Sequence, residues 1–317
     1  MNKESSAHLL LLSKFRKGDF PDRFYGVDYW EAALKEKAEK AIKNFIREGL
    51  LEPAGLYQKI DLTYKLSDLK PMLKERGLKV SGIKADLIKS LIDNDEDAMS
   101  KTMKEINLYQ CTPNGMQLVE KYLSEEENKR ESIEREVMEL LSQKEYSKAV
   151  QAVAQYEASQ VFSRGLNMDW KNYDGKKDIE LLKYIFNLRP SILQDIDDIL
   201  LEQLRLPAAM MLLWGKNTAK QWLPDDLNTG IHLDGDTACR MLVFYARHLG
   251  NIKQNKEAID MGIRIRSFII HGSSDSCPEC KIINGKEYLC LEDLPELPYA
   301  KCTHEKGCRC ILLPNIL

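Results

Sequence analysis

Six of the eight cysteines of this 317-residue chain fall at or beyond residue 277. Cys277-Pro-Glu-Cys280 opens the run, and after 21 intervening residues Cys302-Thr-His304-Glu-Lys-Gly-Cys308-Arg-Cys310 closes it. Two thiolates at a two-residue gap, answered by a second Cys/His cluster, can surround a tetrahedral Zn2+ without the help of a large core. A closed structural site takes four ligands, so the segment offers more candidates than it needs. The first choice is Cys277, Cys280, Cys302 and Cys308, with Cys310 or His304 as alternates for either of the last two. Cys308 and Cys310 stand two residues apart, and an extended chain sets both side chains on one side. Cys290, in Tyr288-Leu-Cys290-Leu, reads as a small apolar filler. The expected cofactor is one structural Zn2+. A catalytic zinc would need an open coordination position and a carboxylate base. Glu279, Glu292 and Glu305 are the acids at hand, and nothing in their spacing marks one of them. His271 is near enough in sequence to support a ligand from outside the coordination shell.

The second pattern able to do chemistry is basic. Between Lys65 and Ile92 stand seven basic residues (Lys65, Lys70, Lys74, Arg76, Lys79, Lys84, Lys89) against three acidic ones (Asp68, Glu75, Asp86), in a chain of net charge −3. A chain so balanced overall can only grip a polyanion locally. The spacing predicts a helix hairpin. Ser67 caps a first helix with Leu69, Met72 and Leu73 on its apolar face, and Pro71 lies in its early turns, where a missing N–H costs least. Gly77 supplies a left-handed stop, and Leu78 and Val80 pin the connection. Ser81-Gly82 starts a second helix with Leu87, Ile88 and Leu91 inward. Cations beside the N–H groups of a helix start suit phosphate contacts, which position a protein without reading sequence. Lys79, Ser81, Gly82 and Lys84 are expected nearest the phosphates, with Arg76 and Lys89 in support and Lys70 and Lys74 completing the basic surface. The plainer reading is a helical hairpin whose lysines only keep it soluble.

Leu66, Leu69, Lys70, Leu73, Lys74, Gly77, Leu78, Ser81, Gly82, Lys84, Leu87, Ile88 and Leu91 follow a pattern that resembles the SAP motif, a two-helix DNA-binding module. The resemblance implies double-stranded DNA as partner, commonly A·T-rich. Ile83 departs from it, since a polar or basic residue is frequent there. The segment Cys277-Pro-x-Cys280, Asn284-Gly285-Lys286-x-Tyr288, Leu294-Pro295-x-Leu297-Pro298, Cys308-Arg309-Cys310 is similar to the C-terminal end of the minor head (head morphogenesis) proteins of tailed phages. That similarity implies a bacterial, phage or prophage-related origin, with phage or host proteins as further partners. Tyr299-Ala-Lys-Cys302-Thr-His304 stands where those proteins carry His-Pro.

The elements that must position these residues read as helices. Residues 1–60 form an N-terminal helical domain in which Trp30, Leu34, Ala38, Ala41, Ile42, Phe45 and Ile46 recur at helical spacing opposite Lys35, Lys37, Lys40 and Lys43. Its end at Gly49-Leu-Leu-Glu-Pro53, taken with residues 101–125, looks like parts of a winged-helix module split by the hairpin domain of residues 61–98. Thr112 is placed to cap a helix with Pro113 at its first position. Residues 126–270 form a further helical domain, with a break near Gln143–Tyr146 and punctuation at Pro190, Pro207 and Pro224. Asp236 is expected to cap a helix over Thr237–His248 that Gly250 ends. Asp225, Asp226, His232 and Asp234 then read as a polar loop leading to that cap. Residues 271–317 are the Cys-rich, zinc-binding segment. The expected fold class is mainly α and multi-domain, with no pattern for a large sheet.

Apolar residues make up 44% of the chain, enough for a buried core. Leu9–Leu12 is far too short to span a bilayer, and Lys14, Arg16 and Lys17 follow it rather than precede it. A cytoplasmic protein without membrane contact is expected. No phosphate-binding loop, dinucleotide fingerprint, Gly-x-Ser-x-Gly or His-Glu-x-x-His occurs. The reading is a non-catalytic DNA-binding protein with a structural zinc. The alternatives are a phage-type head-assembly protein with no direct DNA role and a zinc-dependent enzyme acting on nucleic acid.

Overall fold

The computed structural model describes residues 5–165, 168–225 and 227–316, which leaves Asp226 of the acidic loop outside the described residues. The chain is mainly helical and divides into two units, Met1–Lys129 and Arg130–Leu317.

In the first unit, α1 (Ser6–Ser13), α2 (Asp28–Leu34) and α3 (Ala38–Arg47) pack together. Ala38, Ala41, Ile42 and Phe45 recur on one side of α3 and are fully buried there, with Leu11, Leu12, Phe15, Trp30 and Leu34 in the same first-unit interior. Lys35 ends α2 in a left-handed conformation, φ 58°. β1 (Leu51–Pro53) pairs antiparallel with β2 (Tyr109–Cys111), Pro53 opposite Tyr109. On the other side of β2, Asp19 and Tyr109 exchange both backbone hydrogen bonds, at 3.0 and 3.1 Å. Residues distant in sequence thus meet on one small sheet. The Thr112 hydroxyl accepts from the Gly115 amide at 3.1 Å and donates to the Gly49 carbonyl at 2.7 Å, so it caps α7 (Pro113–Ser142) and ties it to the end of α3.

Residues 54–108, between the two strands, carry α4 (Leu56–Thr63), α5 (Leu66–Glu75) and α6 (Lys84–Thr102). They have a core of their own in Ile60, Leu69, Leu73, Leu87, Ile88, Leu91, Met99 and Met103. Two details differ from expectation. The N-cap of α5 is Lys65, whose amide donates to the carboxylate of Asp68 in the first turn at 2.8 Å, while Ser67 lies inside the helix. Pro71 is an interior residue of α5, tolerated on an exposed face. The backbone of α6 breaks at Asp95, φ −155° and ψ 52°.

In the second unit, α8 (Tyr146–Ser159), α9 (Lys176–Asn187), α10 (Asp198–Trp214) and α11 (Gly235–Asp260) pack with a three-stranded antiparallel sheet. That sheet has β3 (Ile265–His271) at its centre, between β4 (Glu287–Tyr288) and β5 (Ile311–Ile316). α12 (Pro278–Ile283) lies between β3 and β4 in the chain. One continuous core runs from Val137 and Leu141 through the helices to Phe268, Ile270, Leu312 and the thiols of the Cys-rich segment.

Three expectations are corrected here. The cap of α11 is Asp234, whose carboxylate accepts from the Thr237 amide at 2.7 Å. Asp236 instead accepts from the Ala219 amide at 2.5 Å and from the Thr218 hydroxyl at 2.7 Å, fixing the preceding loop. Gly250 does not end the helix: a Cβ there would lie 2.9 Å from Leu181 Cδ2, so this glycine lets α9 approach α11 closely. Pro207 likewise sits within α10 rather than between helices. Among the described residues, no helix is long and apolar enough to cross a membrane.

Candidate metal centre and nucleic-acid interface

Cys277 and Pro278 start α12 together. The Cys277 sulfur accepts from the Cys280 amide at 3.5 Å, and Pro278 takes the first helical position, where its missing N–H is harmless. One helical turn therefore brings Cys280 beside Cys277. Cys302 and Cys308 come from the following loop, and Cys310 from the residue before β5. The sulfurs of Cys277, Cys280 and Cys302 lie within 4.8 Å of one another, and so do those of Cys280, Cys308 and Cys310. Cys277 and Cys302 are 3.8 Å apart, Cys280 and Cys308 3.9 Å. All five are buried and reduced, and Cys280 belongs to both groups.

The thiols of the cluster perturb one another strongly. Burial raises the thiol of Cys277, but the amides of Cys280 and Thr303 outweigh it and hold that thiol down at about 7. Hydrogen bonds from Cys302 and Cys310 hold Cys308 far below an ordinary thiol. The same bonds, with burial, push Cys302 and Cys310 upward. Burial and the nearby Cys308 charge push Cys280 up to about 12. A bound cation would stabilise the thiolate forms over the thiols. The cluster can hold a metal ion, with an all-sulfur donor set.

His304, the non-sulfur alternate, faces elsewhere. Its Nδ1 accepts from the Lys306 amide at 3.0 Å, and its Nε2 lies 3.0 Å from Arg309 and 3.7 Å from Asp275. The Arg309 guanidinium, 2.6 Å from Asp275, holds that carboxyl well below the usual range. Cys290 is half-exposed and donates to the Asp293 carboxylate at 2.9 Å, so it is not an apolar filler. His271 is exposed at the end of β3. A residue the spacing did not single out is His248 of α11. It is buried, and that burial lowers its pKa to about 4, against the pull of the Cys308 charge. Its position, 60 residues before Cys308, gives no local sign of this.

On the hairpin, Lys70, Lys74, Lys79, Ser81, Gly82 and Lys89 are exposed, whereas Arg76 and Lys84 are half-buried. The Lys84 ammonium is 2.9 Å from the Asp61 carboxylate and also donates to the Asp61 carbonyl, tying α6 to α4. Arg76 bonds the Asp95 carboxylate at 2.7 Å and the Met72 carbonyl at 3.0 Å, tying the end of α5 to the break in α6. These two cations are thus committed within the fold. Gly82 holds φ +143°, a conformation other residues rarely adopt, and α6 begins two residues later. The amides of its first turn have no intrahelical acceptor and no side-chain cap. Ile83 and Val80 are exposed at the same tip.

Residues 63–96 match the model of the SAP domain. The match ends one residue past the break in α6. No curated protein and no solved structure matches the chain, and none of the comparisons supports the likeness of the C-terminal segment to phage minor head proteins. A SAP domain points to nucleic acid as the partner of this part of the chain.

Proposed function

We propose that this protein binds double-stranded DNA without catalysis, through its SAP hairpin, and that one Zn2+ fixes the C-terminal segment of the second unit. The observation that carries the DNA reading is the set of cations the fold leaves outward. Lys70, Lys74, Lys79 and Lys89 are exposed, and the start of α6 has no side-chain cap. Such a surface contacts phosphates and carries little sequence information, which suits a preference for A·T-rich duplex read through shape. For the metal, four of Cys277, Cys280, Cys302, Cys308 and Cys310 would be the ligands, and an all-thiolate tetrahedron favours Zn2+. Both groups consist of cysteine alone among the described residues, which supports a structural rather than a catalytic ion. Reduced thiols support a cytoplasmic setting. The motif from Cys277 to Cys310 supports a phage-related one.

The test is a duplex titration at two salt concentrations. The Lys79→Glu/Lys89→Glu variant is expected to lose about tenfold or more in affinity and to show a shallower salt dependence. Binding that is indifferent to both the substitutions and salt would remove the hairpin from the interface. A further expected result concerns Lys84. Asp61→Asn removes its counter-charge, so duplex affinity should rise severalfold while the melting temperature falls slightly. An unchanged or lower affinity would mean that Lys84 takes no part in binding.

A further inference from the structure

The sheet that anchors the SAP insert belongs to a larger pattern. In chain order the first unit has α1, the Asp19 bridge, α2, α3, β1 and β2, and Tyr109 pairs with both Asp19 and Pro53. α2 and α3 are joined by the three residues Lys35–Lys37, the length of a helix-turn-helix connection. This is the arrangement of a winged helix, in which a loop between the last two strands forms the wing. Here that loop is the whole of residues 54–108, so the SAP hairpin is mounted in the place of a wing. The mounting is firm. The Ala54 amide donates to the Leu108 carbonyl at 2.9 Å, and a Cβ on Gly18 would meet Leu62 at 3.2 Å and Leu108 at 3.6 Å.

The second helix of a helix-turn-helix is the element that enters a major groove. α3 is that helix, and its outward side is basic. Lys40, Lys43 and Arg47 follow one another at helical spacing with side chains 70%, 68% and 73% exposed, and Lys35 and Lys37 precede them. Glu36 and Glu39 pair with Lys40 and Lys43 at 3.0 and 2.7 Å. The Glu39–Lys43 pair is exposed and weak, so a phosphate can replace that acid, whereas the Glu36 carboxylate is 19% exposed and is also held by His8 at 2.9 Å. Between Arg47 and the start of α4 at Leu56 the chain reaches at most about 30 Å, less than one turn of duplex.

We infer that α3 is a second DNA contact, with Lys40, Lys43 and Arg47 on a duplex that the SAP hairpin also holds. The inference rests on the DNA reading of the hairpin and adds a separate surface to it. It predicts a two-point grip, in which either contact alone binds weakly and both together set the salt dependence.

The experiment uses the full chain, a 30-base-pair duplex and three proteins: the unaltered chain, Lys40→Gln/Lys43→Gln/Arg47→Gln, and Lys79→Glu/Lys89→Glu. Dissociation constants are measured from low to moderate salt, and melting is followed by circular dichroism. The α3 variant is expected to melt like the unaltered chain, to bind about tenfold more weakly, and to flatten the slope of log affinity against log salt by about two to three. An α3 variant with unaltered affinity and slope, beside a hairpin variant that has lost binding, overturns the inference and leaves the hairpin reading intact. No salt-dependent binding by the unaltered chain overturns both. If the triple variant melts early, Arg47→Gln alone decides, through a slope change of about one or none.

Discussion

Exchange of Cys280 for serine is expected to abolish metal binding and to destabilise the second unit, while Cys290→Ser changes neither. Cys280 is the thiol shared by the two groups, Cys277 with Cys302 on one side and Cys308 with Cys310 on the other. Its loss leaves Cys277, Cys302, Cys308 and Cys310, two pairs that no longer share a thiol between them. Structural zinc sites in small domains supply about 10–16 kcal/mol of apparent folding free energy. Here the thiols are also part of a core that reaches Leu312, Phe268 and the helices, so part of the segment's packing survives the loss of the ion. A destabilisation of about 3–5 kcal/mol follows, a fall of about 10 °C or more in melting temperature. Cys290 is half-exposed and makes one hydrogen bond, to Asp293, that a serine hydroxyl can reproduce. Metal content per chain and thermal melting of both variants check this. A Cys280→Ser protein that keeps one zinc and melts with the unaltered chain would show that the sulfurs pack together for reasons other than a metal. Serine at Cys310 and at Cys302, measured the same way, then identifies which of the five thiols is spare.

The helices of the hairpin were legible because their apolar residues follow a local period, and Leu69, Leu73, Leu87, Ile88 and Leu91 are buried as that period requires. What escaped the sequence depends on partners far along the chain. Lys84 looks like any cation of a basic surface until α4 sets Asp61 beside it, 23 residues earlier. β3 shows no clean alternation, since Ser267 is fully buried and a register shift lies between Ile265 and Ser267. Its partner β5 begins 40 residues after β3 ends, so no hairpin signal joins them. Gly250 was legible as a glycine but not as a contact, because the Leu181 side chain that needs its space comes from α9. At the cysteines the spacing offered too many ligands. The fold separates them: five sulfurs converge, while His304 is turned toward Arg309 and Asp275.

Gly115 is where helix propensity and packing predict opposite signs. It stands in the first turn of α7, and replacing a helical glycine by alanine ordinarily stabilises a helix by about 1 kcal/mol. A Cβ here would lie 2.1 Å from the Leu50 carbonyl oxygen and 3.0 Å from its carbon. Those atoms are backbone and cannot swing aside. The Leu50 amide is bonded to the Phe45 carbonyl at 2.8 Å, and its carbonyl accepts from the Thr112 amide at 3.0 Å. The first turn of α7 must therefore lift, which breaks the Thr112 cap and loosens β2, the strand that joins Asp19, β1 and the SAP insert. Overpacking against fixed atoms costs about 3 kcal/mol or more. Gly115→Ala should consequently melt about 10 °C lower than the unaltered chain, whereas Asn114→Ala, on an exposed neighbour, should stay within a degree or two. A Gly115→Ala protein that melts at or above the unaltered temperature would mean that α7 does not seat on Leu50, and the sheet carrying the hairpin would need another anchor.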